Sequence, residues 1–267
     1  MSAEIRISVI MGIYNCSSTL AEALDSLLKQ TYQGFKVIMC DDGSTDSTEY
    51  IAQKYASRYP EKFILIKNEK NLKLAATLNH CLQYVDTEYV ARMDGDDLCS
   101  PIRFETQLKF LDDNPRYSHV STSMKLFDET GFYGIMKAPK SEPDNNSFRN
   151  GTPYFHAPTL FRRSALEAVG FYTSSPRVER IEDYYLWYKF HRVGLRGYNM
   201  PEALYYMRND KNAFARRKFR DRLRSYKVKV EVLRGLKVKC GLFYALRDLS
   251  KGLVPAFIIR RIRKHGF

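Results

Sequence analysis

The chain has 267 residues, 44% of them apolar and 27% charged, enough for one large domain or two small ones and ordinary for a soluble globular enzyme. Five cysteines (Cys16, Cys40, Cys81, Cys99, Cys240) without CxxC spacing exclude a disulfide framework and a cysteine zinc site. The net charge of +13 is uneven: residues 211–267 carry 18 Lys and Arg against Asp221, Glu231 and Asp248, a balance of +15 that leaves −2 for residues 1–210. A basic end of this kind asks for an anionic partner, nucleic acid or anionic lipid.

In chain order, IRISVIMGIYN is an apolar run of strand length, and Leu20, Leu24, Leu27 and Leu28 follow it at helical spacing behind Ser17 and Ser18. FKVIMCDDGSTDST repeats the pattern, with the strand residues Val37, Ile38 and Met39 running into two aspartates and a hydroxyl-rich helix start. FILIKN predicts a third strand, KLAATLNHCLQYV a third helix, and EYVARM a fourth strand that ends at Asp94, Asp96 and Asp97. Such alternation predicts an α/β fold with a mostly parallel sheet flanked by helices, whose ligands bind beyond the carboxyl ends of the strands. Tyr14, Asp41 and Asp94 all fall there.

Beyond Pro101 a helix is expected first, then a hairpin turning near Glu129–Gly131, a strand and helix in TPYFHAPTLFRRSALEAVG, and a helix in RIEDYYLWYKFHRVG. From about Lys211 apolar residues recur among Lys and Arg, with Leu236, Val238, Leu242, Phe243, Leu246, Leu249 and Leu253 suited to an amphipathic helix. The domain division expected is residues 1–210, with halves 1–100 and 101–210, followed by a basic helical extension, residues 211–267. Nothing resembles a membrane span or a secretory signal, so a cytoplasmic location is expected.

Closely spaced aspartates at a strand end suit a hard divalent cation, Mg²⁺ or Mn²⁺, that keeps waters and takes further oxygens from a diphosphate. No GxxxxGKS or GxGxxG stretch occurs, so side chains and a cation would have to hold a nucleotide. The alternatives are a polar loop that binds nothing, a non-catalytic nucleotide-binding protein and a nucleotidyltransferase. The last of these lacks its basic, glycine-rich phosphate loop in MGIYNCSS.

ISVIMGIYN, DDGSTDST and MDGDD, in this order and at these spacings, resemble the nucleotide-sugar half of a family 2 glycosyltransferase of GT-A fold, and YFHAPTLFRR and IEDYYLWYKF resemble its acceptor side. The resemblance covers roughly residues 5–210. It implies an inverting transfer of a hexose or aminohexose from a nucleoside diphosphate sugar, UDP-linked, to a saccharide or lipid-linked acceptor of bacterial surface-polysaccharide assembly. Ile13 and Tyr14 would lie at the donor, Tyr14 against the base, with Asp41 on the uracil edge. Asp96 would be the principal metal ligand, Asp94 would share the metal or face the sugar, and Asp97 would be the least committed of the three. Asp183 would be the general base beside Glu182.

Lys73 and Arg92 are candidates for phosphate contact. Trp187, His156 and Arg208 are candidates on the acceptor side, each with a structural reading beside it: core packing for the aromatic pair, and solvated charge for the basic ones. The sequence departs from the family pattern at Gly12, at Tyr185 and at Asn209–Asp210, where relatives often carry proline, a second acid and histidine. The basic extension is expected at the inner face of the cell membrane, on anionic lipid, with a helical subdomain that packs its apolar face on the rest of the chain as the alternative, and no nucleic-acid partner is expected because no such motif is present.

Overall fold

A computed structural model describes residues 4–209 and 219–250. The first half is β1 (Ile7–Ile13), α1 (Leu20–Leu28), β2 (Phe35–Asp41), α2 (Thr48–Arg58), β3 (Phe63–Lys67), α3 (Leu74–Leu82) and β4 (Tyr89–Arg92). Its strands pair in parallel in the order β3-β2-β1-β4. Helices cover both faces of these strands, so both faces must be apolar. Ile10, Ile38 and Val90 accordingly enter one core with Leu78 of α3, and Val9, Val37 and Ala91 enter another with Leu24 of α1.

The second half adds β5 (Leu98–Cys99), α4 (Arg103–Asp113), β6 (His119–Asp128), β7 (Gly131–Met136), β8 (Leu160–Arg162), α5 (Arg163–Ala168), α6 (Glu182–Arg192) and β9 (Gly197–Arg208). These strands extend the sheet to β3-β2-β1-β4-β8-β6-β9-β5, with β7 paired to β6. β8 is antiparallel to both β4 and β6, and β9 runs parallel to β6. β9 and β5 were not anticipated from the sequence. They matter because their pairing, Leu98 opposite Tyr206, ties the end of β9 to the acidic loop after β4.

Trp187 is fully buried, stacked on His119 and Phe161 at 4.8 and 5.5 Å between ring centroids, with Tyr154 and Phe190 around it. This corrects its expected acceptor contact: every side of the indole meets protein. Across the β6–β9 pair, Gly197 opposes His119, and a Cβ there would fall 2.1 Å from the imidazole, so only glycine admits the aromatic box.

His119 is fully buried, and burial holds its pKa well below the usual 6.5. Its Nδ1 meets the Ser118 hydroxyl at 2.9 Å and its Nε2 has no partner, so a second proton would find no acceptor. The unfolded chain therefore takes up a proton below pH 6.5 that the fold refuses, and stability falls as pH falls. For this one residue the loss is about 1.4 kcal/mol one pH unit below the unfolded pKa. His119→Phe is expected to flatten the slope of stability against pH between about 6.5 and 5 by up to one proton, measured by denaturant unfolding at several pH values. An unchanged slope would show that His119 is protonated in the fold.

Residues 219–250 form α7 (Phe219–Gly235) and α8 (Gly241–Ser250). Val228, Val232, Leu233, Leu236, Val238 and Ala245 share the core cluster of Trp187 and Phe190. Tyr185 of α6 donates to Glu231 of α7 at 2.9 Å, and Lys229 donates to the Arg149 carbonyl at 2.8 Å. The described part of the basic extension is thus packed onto the rest of the fold. The stripe read as a single amphipathic face divides: Leu236 and Val238 point inward, while Leu242, Phe243 and Leu246 of α8 are exposed. Leu253 and the chain end lie outside the described residues.

Candidate active site

The acidic loop follows directly from β4. One carboxylate oxygen each from Asp94, Asp96 and Asp97 lies within 4.8 Å of the others, a spacing that fits one hard divalent cation. The three differ in surroundings. Asp97 is buried, accepts the Arg208 amide at 2.8 Å, and its carboxyl is raised well above the usual range by burial and by its two neighbours. Asp96 reaches solvent, and partial desolvation followed by the Asp94 charge pushes its carboxyl up to about 6. Asp94 accepts from the Arg92 guanidinium, and its amide donates to the Tyr205 hydroxyl at 3.2 Å. Like charges held this close repel, which adds to the burial that raises both carboxyls.

Two basic residues take up places different from those expected. Arg92 is buried at 5% exposure under the loop and spends its charge on Asp94, so it supports a carboxylate where a phosphate contact was expected. Arg208 lies at the end of β9, beside the acidic loop. Its Nε donates to the Asp96 carbonyl at 3.0 Å, its Nη2 pairs with Glu22 of α1, and it stacks over Phe127, which clamps the acidic loop from below.

At the ends of β1 and β2, Ile13 is buried in the core and its carbonyl accepts the Asp42 amide at 2.9 Å. It places Tyr14, which is 47% exposed. Asp41 is buried and accepts from the amide and hydroxyl of Ser44. Asp42 was passed over in the sequence. Its carboxylate accepts the amides of Leu72 and Lys73 at 2.8 and 3.0 Å and the Asn68 side chain at 2.8 Å, which ties the end of β2 to the loop before α3.

Tyr14, Asp42, Asn71 and Lys73 line a cavity of about 250 Å³ at the carboxyl end of β1. The Asn71 side-chain oxygen there is buried and has no hydrogen-bond partner among the described residues, a signal that appears only in three dimensions. Lys73 is exposed and also lines an adjoining cavity of about 350 Å³, whose far wall is residues 173–182 and includes Glu182.

α6 begins at Glu182, with Asp183 in the first turn, where its charge opposes the helix dipole favourably. Burial raises the Glu182 carboxyl, Asp183 adds to the rise, and the Arg92 charge offsets it. Asp183 is half-buried and its carboxylate accepts the Tyr184 amide at 2.7 Å.

Tyr172 is buried just before the second cavity's wall of residues 173–182. Its buried phenol is driven upward chiefly by burial, and it feels Arg92, Asp183, Glu182 and Asp94 together. His156 donates to or accepts from the same hydroxyl at 2.7 Å and is held neutral by burial and by Arg92, so it serves as a strut beneath the site. Tyr172, Tyr205, Asp42 and Asn71 are the site residues that sequence reasoning missed. Asp42 is the second of the Asp41–Asp42 pair and was overlooked beside the first, while Tyr172, Tyr205 and Asn71 lie in no carboxylate cluster, and only packing brings them there.

The geometry has close counterparts. The model of Glycosyl transferase family 2 matches residues 8–170. A Bacillus subtilis (strain 168) protein named as a glycosyltransferase, EpsE, is 42% identical over 265 residues, covering 99% of this chain and 95% of that one. An Escherichia coli UDP-Gal:α-D-GlcNAc-diphosphoundecaprenol β-1,3-galactosyltransferase is 31% identical over 223 residues, 79% of this chain and 77% of its own. The Staphylococcus aureus TarS structure (residues 1–349) in complex with UDP-GlcNAc superposes with a TM-score of 0.70 at 21% identity, covering 93% of this chain and 71% of that one, which shows the GT-A fold. With a family match over more than half its length and a relative 42% identical over 99% of it, the chain belongs to glycosyl transferase family 2.

Proposed function

We propose that the protein is an inverting, metal-dependent glycosyltransferase of cell-surface polysaccharide synthesis, which moves a hexose or aminohexose from a UDP-sugar to a lipid-linked saccharide. The single observation that carries this reading is that the cavity lined by Tyr14, Asp42 and Asn71 adjoins, through Lys73, a second cavity lined by Glu182. Binding a nucleotide alone would not require acids on the second side.

In this reading Tyr14 stacks on the base, Asp41 and Asn71 contact its edge, and Lys73 approaches the diphosphate. Asp96 and Asp94 hold a Mn²⁺ or Mg²⁺ ion, which supplies Lewis-acid stabilisation of the leaving diphosphate when bound. Asp183 takes the proton from the acceptor hydroxyl as it attacks the anomeric carbon. Asp97 with Arg208, and Arg92 with Asp94, keep the loop in place. The test is a thermal-shift and hydrolysis screen of UDP- and GDP-sugars with and without Mn²⁺. Stabilisation by UDP-sugars that needs the cation is expected, and none with any nucleotide sugar would overturn the reading.

The acceptor named for the E. coli relative is lipid-linked, which supports work at a membrane surface. No helix among the described residues is long and apolar enough to cross a membrane. The exposed Leu242, Phe243 and Leu246 of α8, in a basic setting, suit interfacial docking on anionic lipid. Phe243→Ser with Leu246→Ser is expected to weaken binding to anionic vesicles at least about tenfold in a flotation assay. Removal of residues 211–267 is a poorer test, since it would uncover the core that Val232 and Leu233 close.

A further inference from the structure

Lys73 has φ +73° and ψ 162°, a backbone conformation populated almost only by glycine, and its φ is the largest positive one of any non-glycine among the described residues. Such strain persists only where the neighbours fix the chain on both sides. The Lys73 amide donates to the buried Asp42 carboxylate at 3.0 Å, and the Lys73 carbonyl accepts the Thr77 amide and hydroxyl at 3.1 and 3.0 Å. Two residues earlier, the Asn71 amide lies so close to Gly43 that a Cβ on that glycine would fall 3.1 Å from it. The loop is therefore held in this shape from β2 and from α3 together.

A turn of this shape does not call for a lysine. Its side chain is exposed, and among the described residues its ammonium has no ion-pair or hydrogen-bond partner. Asp42, the acid closest to it along the loop, is already engaged by the amides of Leu72 and Lys73 and by the Asn68 side chain. Lys73 and Leu74 line both the cavity of about 250 Å³ and the cavity of about 350 Å³, so this segment stands where the two adjoin. α3 begins at Leu74 with no acid in its first turn and no side-chain cap, and its first N–H groups add positive potential at the same point.

We propose that Lys73 is held in a conformation proper to glycine so that the donor site has a fixed cation for the diphosphate, at a cost in stability that a glycine would not carry. The proposal deepens the UDP-sugar reading and rests on it. Lys73 is then the residue that distinguishes a nucleoside diphosphate from the nucleoside alone, while Tyr14 and Asn71 serve the base.

The test uses the full chain with excess Mg²⁺ and three variants, Lys73→Gly, Lys73→Ala and Lys73→Arg. At an ordinary position glycine is less stable than alanine, because it loosens the unfolded chain. Here the order should reverse, with Lys73→Gly melting above both Lys73→Ala and the wild type. Calorimetry is expected to show UDP bound at least about tenfold more weakly by the glycine and alanine variants, with most of the affinity restored in Lys73→Arg. Uridine, followed by NMR titration, should bind all four proteins equally. Lys73→Gly melting below Lys73→Ala, wild-type UDP affinity in either variant without the charge, or uridine weakened as much as UDP would overturn the proposal. A wild-type protein that binds neither UDP nor uridine would instead remove the nucleotide-sugar reading, and the proposal with it.

Discussion

Asp183→Asn is expected to slow sugar transfer by about 100- to 10,000-fold, the range that a positioned general base contributes. The residue lies in the first turn of α6, away from the cavity lined by Tyr14, Asp42 and Asn71 that is proposed to take the base. UDP affinity should therefore be unchanged. Asparagine keeps the shape of the side chain and can still accept the Tyr184 amide, so the fold should also be preserved. Single-turnover transfer and calorimetric UDP binding, measured together, separate these effects. An active Asp183→Asn enzyme would move the base to another group, and Glu182, adjacent and raised in pKa by burial, would be the first to test.

Asp96→Ala should abolish donor turnover, by about 100-fold or more, and make UDP affinity indifferent to Mn²⁺ or Mg²⁺. A structural role predicts a different result. Asp96 reaches solvent and is crowded by Asp94, so removing its charge relieves repulsion and should leave the melting temperature equal or higher. Lost activity with a lowered melting temperature would point to damage of the loop. Full transfer by the variant would remove the cation from the mechanism.

The parallel half of the sheet was legible in the sequence because its strands are short continuous apolar runs, each followed by a helix whose apolar residues recur at 3.6-residue spacing. The strand-end acids and the Glu182–Asp183 pair were legible too, since charge at the end of an apolar run is conspicuous. β9 was not: GYNMPEALYYMR carries Pro201 and Glu202 in its middle, where the register with β6 shifts, so no clean alternation survives.

The roles of single side chains were harder still. Arg92 and Trp187 have polar or aromatic character that suits a ligand, and it took the fold to show one neutralised by Asp94 and the other enclosed by His119, Phe161 and Phe190. Asp42 and Asn71 lie 29 residues apart, and only the loop hydrogen bonds to Leu72 and Lys73 bring them to one cavity. The basic extension read as one stripe because composition cannot tell which apolar residues face the enzyme and which face outward.

The most direct measurement is a structure of the full chain with an intact UDP-sugar and Mn²⁺. The account predicts Mn²⁺ on Asp96, with Asp94 or Asp97 beside it, the base against Tyr14, and the anomeric carbon facing Asp183. A nucleotide bound away from Tyr14, or an anomeric carbon turned from Asp183 towards another acid, would contradict it.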